Sequence, residues 1–496
     1  MNTMNTIINL PIILDENLSS PLYEQLSHSL RDAIKTGKVS HGTVLDSTRD
    51  LSRKLGISRH TVLRSVDILQ SQGYLESKNG RLTAVSCTGP ETVSESIDAE
   101  TNPAQTINVQ PDSFPIAISE FAEQVVADQR LDLYKELNCG ALPADQLPFK
   151  HWKKLMYKHI QTEYSGLCDP VVDPLGHEPL RVQLTDYLKR TRSLDCDPDR
   201  VVIFPDTMSA LDLIGKLLIN PGDRIAVENP GFRHSRRVFE AYKGKLCPID
   251  VDENGLCVDQ LNRLSSPPKM ACVTPSHHDP LGMPMSLSRR QELLEWATKN
   301  GTLILEDDND SLFRYASRPL PSLQGLDSSK SSVIYLSSFG KVLSPLVRLS
   351  FAVFPAQLIP LIANAKEMFQ RNVPVLDQMV LADFIREGYV ERHIRKSALS
   401  LLRRRNALIT ALTRCLGRKI WIARESAGTH IFVRIKTDWV DAALVEAAKA
   451  TGLPMASTQG YYLSERPPTG QFIISFADIE ETNAQPLVES FAKLIA

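Results

Sequence analysis

Long apolar runs are missing from this sequence. No stretch approaches the roughly 18 consecutive apolar residues that a membrane-spanning helix requires, so no membrane span is expected. Cysteine is sparse and scattered: Cys87, Cys139, Cys168, Cys196, Cys247, Cys257, Cys272 and Cys415 include no CxxC pair. Reduced structural thiols are expected from that distribution, with neither a zinc site nor a disulfide scaffold. Charge of one sign is not in excess either. A formal net charge of −2 argues against wholesale binding of a polyanion, although a small basic module is compatible with such an average. The opening stretch, MNTMNTIINLPIILDEN, lacks a basic n-region, so no signal peptide is expected and a cytoplasmic location is. What is present is ordinary for a soluble globular chain: 496 residues, 42% hydrophobic and 23% charged. That length implies two or three domains.

The chemistry is concentrated between Leu303 and Ser350. LILEDDNDSLFRY begins as an apolar strand and ends in the carboxylates Glu306, Asp307 and Asp308. A second β-branched strand, Val333 to Leu336, stops at Ser337-Ser338-Phe339-Gly340-Lys341. In an α/β sheet such strand ends meet at the ligand crevice. A lysine on one strand end and a carboxylate on another are what a pyridoxal phosphate (PLP) site needs. The amine closes a Schiff base with the aldehyde, and the carboxylate keeps the pyridine nitrogen protonated. Lys341 follows Asp307 by 34 positions, and Arg348 follows it in turn. Ser-x-x-Lys alone is a weak signal that most often marks a surface lysine. The combination with Asp307 and Arg348 is what makes it specific.

Residues 20–86 read as a separate block. Leu22, Leu26, Leu30 and Ile34 make one helix face, stopped by Gly37. A second helix from Ser47 to Leu55 is capped by Asp46 or Ser47, Gly56-Ile57 makes a tight turn, and Ser58 caps a third helix running to about Gln72. Helix, short glycine turn, helix is the arrangement whose second member enters a DNA major groove. Gly73 to Val85 reads as two strands around an Asn79-Gly80 turn. From Arg49 to Arg81, seven bases face three acids, an excess placed where phosphates would lie. The blander reading is a small helical domain with a solvated basic face. Residues 87–129 then carry eight acids and no lysine or arginine, with Pro, Ser, Thr and Asn crowding the first half, and read as an acidic linker.

LDSTRDLSRKLGISRHTVLRSVDILQSQGYLESKNGR resembles the winged helix-turn-helix of GntR-type transcriptional regulators. The resemblance implies a double-stranded DNA operator as partner. It implies Arg49 as a phosphate anchor, Ser58, Arg59, Thr61 and Arg64 near or in the groove, and Gly80 at the wing tip. Asp46 stands where that family usually has proline.

Residues 130–496 alternate helical and strand-like stretches, the mark of an α/β domain. Val201 to Phe204 is a buried strand feeding a helix N-terminus at Thr207 that could hold a phosphate. ENPGF brings Phe232 to a turn, and THIFVRI and FIISF read as strands of a small C-terminal subdomain. ENPGF, TPSHHDPLG, LEDDNDSLFRY, SSFGK and SPLVRLS occur in the order found in the fold-type I aminotransferase domain. With the N-terminal module, the whole chain resembles a MocR-type regulator. That likeness implies Lys341 as the Schiff-base lysine and Asp307 as the pyridinium partner, with Asp308 the alternative if the register slips. It further implies Ser338 and Arg348 as phosphate ligands, Thr207 near the phosphate, Phe232 close to the ring, a homodimer and a small-molecule effector.

This chain departs from that pattern at several points. Asn309 replaces a tyrosine after the acidic pair, and Val171 replaces one that would reach across a dimer. Asp206 replaces the glycine of the phosphate turn, His278-Asp279 replaces a glutamine and an aromatic, and Ile473 stands where a carboxylate-binding arginine would align. His277 and His278 suggest a metal, but no third ligand is evident in the sequence. Three functions compete: a PLP-containing sensor of a small amine or of the cofactor itself, an active aminotransferase carrying an accessory DNA-binding module, and a regulator that no longer binds PLP. The loss of the arginine and the tyrosine favours the first.

Overall fold

Helix α1 (Leu22–Lys35) buries Leu26, Leu30 and Ile34, the stripe that their spacing of four predicts. This is the first element of a computed structural model that describes residues 6–7, 12, 14–15, 20–40, 42–78, 82–86, 142–161, 173–308, 312–315, 320–370, 373–423, 427–463 and 466–495. The chain forms two compact units, Met1–Ile116 and Ala117–Ala496. The acidic linker expected at 87–129 lies outside the described residues. Among the described residues no helix is long and apolar enough to cross a membrane.

In the first unit, α1 is followed by α2 (Thr48–Leu55) and α3 (Arg59–Ser71). Of the two candidate caps for α2, Ser47 is the one used: its Oγ accepts from the Asp50 N–H at 3.2 Å, while Asp46 pairs with Lys54 at 2.7 Å. Gly56 closes α2 in the left-handed region, at φ 66°, which is why the turn into α3 can be so short. Four short strands, β1 (Thr6–Ile7), β2 (Val44–Leu45), β3 (Leu75–Lys78) and β4 (Leu82–Val85), form a sheet in the order β1-β2-β4-β3. β3 and β4 are antiparallel with Lys78 opposite Leu82, so they form the two arms of the expected wing. The tip, with Gly80, lies outside the described residues.

The second unit is built on an eight-stranded sheet. Its strands are β5 (Val201–Phe204), β6 (Arg224–Asn229), β7 (Lys245–Asp252), β8 (Gly255–Leu256), β9 (Met270–Val273), β10 (Leu303–Asp307), β11 (Val333–Ser338) and β12 (Ser350–Val353). They lie in the order β5-β12-β11-β10-β9-β6-β7-β8. β7, β6, β9, β10 and β11 are parallel neighbours, whereas β12 runs antiparallel between β11 and β5. Strands such as β5 and β9 are buried along their whole length, as expected of a sheet covered on both faces. A smaller antiparallel sheet follows from β13 (Ile420–Ile422), β14 (His430–Ile435), β15 (Met455–Ser457) and β16 (Gln471–Ser475), in the order β13-β14-β16-β15. The fold is therefore mixed α/β, with the winged helix-turn-helix, the large sheet domain and the small C-terminal subdomain expected from the sequence.

Candidate functional site

The parallel strands all point their carboxyl ends toward one crevice, and the residues just past those ends line a cavity of about 280 Å³. Thr207 comes from the helix after β5, Phe232 from the turn after β6, Thr274 from the end of β9, Asp307 from the end of β10, and Ser338 and Lys341 from the end of β11. β10 and β11 pair side by side, with Asp307 opposite Leu336, so the lysine and the carboxylate arrive from neighbouring strands.

The three consecutive carboxylates have three different surroundings. Glu306 is fully buried and accepts the backbone N–H groups of Leu323 and Gln324 at 2.9 and 3.0 Å, capping a short helix. Burial pushes its carboxyl up to about 7. Asp307, on the opposite face of the strand, lines the cavity. Asp308 is again buried, 2.6 Å from the Arg192 guanidinium and 2.5 Å from the Tyr335 hydroxyl that donates to it. The alternative register, with Asp308 serving the cavity, is not the one observed.

The far end of the cavity is a helix N-terminus. Thr207 opens the Thr207–Leu218 helix, and its hydroxyl lies 3.2 Å from that of Ser350. Asp206 caps this helix: its Oδ1 accepts from the N–H and the hydroxyl of Ser209 at 2.8 and 2.9 Å. The negative charge expected at the phosphate turn is thus directed at the chain's own helix end. Ser338 Oγ accepts the Gly340 N–H at 2.9 Å and donates to Leu349 O at 3.3 Å. Arg348 is placed differently from expectation. It is exposed, two positions before the Ser350 that pairs with Ser338, and it does not line the cavity.

The opposite wall comes from the small subdomain and from residues that the sequence did not single out. His430 and Tyr461 line it together with Ile473, and His234 packs edge-on to Phe232 with ring centroids 5.4 Å apart. Thr274 was recoverable as a strand-end residue, but His430 and Tyr461 carry no local signal, because only folding brings the C-terminal sheet here. Ile473 does face the cavity, and it presents a methyl-lined surface where a carboxylate clamp was expected to be lost. His277 lines the cavity, whereas His278 is buried 3.7 Å from Glu228. Burial, with His277 beside it, holds His278 down to about 3, and burial pushes Glu228 up to about 7. No group of three or more metal-ligating side chains occurs among the described residues. Val171 and Asn309 lie outside those residues.

The donor set suits a phosphorylated pyridine aldehyde: an amine, a carboxylate, a flanking aromatic and a helix N-terminus with hydroxyls, around one cavity. In the first unit, Arg49 and Arg59 are exposed. The Ser58 hydroxyl caps α3, accepting from the Thr61 N–H at 3.0 Å and meeting the Thr61 hydroxyl at 2.8 Å. The Arg64 guanidinium lies over the Tyr23 ring, 3.9 Å from its centroid, which ties α3 to α1.

Comparison with known proteins agrees with both halves. Residues 136–491 match the family of class I and II aminotransferases, and residues 22–85 match the gntR family of bacterial regulatory proteins. The large domain has the fold of solved aminotransferases. The multiple substrate aminotransferase of Thermococcus profundus superposes with a TM-score of 0.69 at 24% identity, covering 76% of this chain and 97% of that one. Along the whole chain, the HTH-type transcriptional regulator YhdI of Bacillus subtilis is 33% identical over 492 residues, 97% of this chain and 98% of the relative. The probable rhizopine catabolism regulatory protein MocR of Rhizobium meliloti is 29% identical over 469 residues, 95% and 92% of the two chains. The chain belongs to the MocR-type regulators, in which a GntR-type helix-turn-helix is fused to a domain of the PLP-dependent aminotransferase fold. It is a helix-turn-helix transcriptional regulator, and its N-terminal module is a DNA-binding domain.

Proposed function

We propose that this regulator holds PLP in the cavity between Lys341 and Asp307, and that the cofactor, or a small amine reaching it, sets how the N-terminal module engages its operator. The observation that carries the reading is the convergence of Lys341 and Asp307 on one cavity, which Ile473 lines beside His430 and Tyr461. Bound there, PLP supplies an aldehyde and an electron-withdrawing ring. Lys341 offers its amine to that aldehyde, Asp307 holds a proton at the ring nitrogen, and Phe232 flanks the ring. Thr207, Ser338 and the helix N-terminus receive the phosphate. An α-amino acid entering this cavity finds no bidentate partner for its carboxylate at Ile473, so binding without turnover is favoured over transamination. A ligand that binds without reacting can hold one conformation, provided it prefers that state. The regulator acts as a cytoplasmic homodimer; exposed Phe149, Tyr157 and Ile160 on one helix are side chains that an interface would cover.

The test is spectroscopic. PLP added to the purified protein should give a near-ultraviolet or visible absorption band, and borohydride should fix the label on the peptide carrying Lys341. A label elsewhere, or no band, overturns the cofactor assignment. Mixing the loaded protein with a panel of amino acids should give no rapid conversion to the pyridoxamine form. Complete conversion with a common amino acid would establish an active aminotransferase instead.

A further inference from the structure

Leu63 is a large apolar side chain on the outer face of α3. It is 40% exposed, while Val62, Val66 and Leu69 of the same helix turn inward to the core of the module. A single exposed leucine is ordinary on a protein surface. The position of this one is what singles it out. It is the fifth residue of α3, and in a helix-turn-helix the N-terminal residues of the second helix approach the base edges. We propose that Leu63 is a base-reading residue of this regulator, packing on the 5-methyl group of a thymine in the major groove.

The rotation of the helix decides which side chains stand together. The Ser58 hydroxyl caps α3 by accepting from the Thr61 N–H at 3.0 Å, which fixes where the helix begins. Arg59, Leu63 and Asp67 then follow at intervals of four and form one exposed row. Arg64 falls in the other row, with His60, and turns toward α1. Its guanidinium lies 3.9 Å from the centre of the Tyr23 ring, and the Tyr23 hydroxyl in turn donates to Glu24 at 2.9 Å. The side chain beside Arg59 is therefore Leu63, an apolar group next to a charged one.

The chemistry of the groove selects the partner. Guanine, adenine and cytosine present hydrogen-bond donors and acceptors there, and the thymine methyl is the apolar feature. Leucine packed on an exocyclic amine or a carbonyl would strip that group of water and return no hydrogen bond. Packed on a methyl, it removes two apolar surfaces from water at once. The row thus combines a cation able to hydrogen-bond at Arg59 with a methyl contact at Leu63. This reading rests on the DNA-binding module and is independent of the cofactor assignment.

The test uses the full-length protein and an operator that it selects from a pool of random duplexes. Thymines of that operator are replaced one at a time by deoxyuridine, which removes the methyl and leaves base pairing intact. At the contacted thymine Kd should rise about fourfold, the worth of one buried methyl group. Leu63→Ala and Leu63→Asn should bind the unmodified operator more weakly and lose this dependence on the methyl, whereas Leu63→Met should keep it. The side chain lies outside the core, so all three variants should melt near the parent, and weaker binding is then not loss of folding. A parent protein indifferent to every thymine methyl, or undiminished sensitivity at the same thymine in Leu63→Ala, would overturn the assignment. Each comparison is made within one protein in one state, so cofactor occupancy cancels.

Discussion

Asp307 and Asp308 are consecutive in sequence and face opposite sides of the same sheet: one lines the 280 Å³ cavity, and the other lies buried 2.6 Å from the Arg192 guanidinium. Their side chains part because successive residues of a strand point to opposite faces. Replacing each with asparagine should therefore give different defects. Asp308→Asn leaves the Arg192 charge buried without its carboxylate, and about 3–5 kcal/mol of stability should be lost, read as a lowered denaturation midpoint. Asp307→Asn should leave the midpoint nearly unchanged while weakening PLP binding. Equal stability of the two variants would contradict this division of roles.

Asp206 places a carboxylate on the helix end that is to receive the cofactor phosphate. Asp206→Gly should strengthen PLP binding by roughly tenfold, in line with the 0.3–2 kcal/mol that a charge at a helix terminus is worth. The lost cap should lower the stability of the domain by at most about 1 kcal/mol. Titration of PLP against each protein, followed by absorbance, checks the sign: weaker binding in the glycine variant would show that the carboxylate does not compete.

On DNA, the exposed Arg59 at the start of α3 and the exposed Arg49 on α2 should behave differently. Arg59→Ala should weaken the cognate operator by roughly 1–3 kcal/mol and random DNA much less, as expected of a base contact. Arg49→Ala should weaken both alike and reduce the salt slope by roughly one. Binding isotherms at several salt concentrations separate the two, and identical losses on both DNAs for Arg59→Ala would remove its reading role.

Glu228 sets a pH dependence within the large domain. Its carboxyl, raised to about 7 by burial, holds a proton in the folded state that the unfolded chain releases near 4.5. Folding stability from this group is therefore present below about pH 4.5 and lost as pH rises toward 7. Glu228→Gln keeps an acceptor for the Thr274 N–H and hydroxyl, which now donate to Glu228 at 3.0 and 2.7 Å, and removes the ionisation. The variant should match the parent near pH 4.5 and exceed it by up to about 3 kcal/mol near pH 8. His278, lowered to about 3, contributes the opposite slope between about 3 and 6.5 in both proteins. Denaturation midpoints across this range test it; a constant difference at all pH values would exclude Glu228 as the titrating group.

Much of this arrangement was already determined by the sequence. The spacing of Leu22, Leu26, Leu30 and Ile34, the caps Ser47 and Ser58, and the glycine at 56 define the helix-turn-helix, because helix faces, caps and tight turns depend on residues only a few positions apart. The apolar runs that end at Asp307 and Ser338 likewise mark two strand ends, and strand ends are where α/β sheets bind ligands. Tertiary structure decided the rest. Alternation along β10 guarantees that Asp307 and Asp308 diverge, but which of them meets the cavity depends on what covers each face of the sheet. Arg348 lies exposed just ahead of β12, and β12 runs backward between β11 and β5, a pairing no local pattern encodes. His430 and Tyr461 reach the cavity only when the C-terminal sheet docks. Such contacts are set by burial and pairing over long range, where the residues involved have no sequence neighbour to announce them.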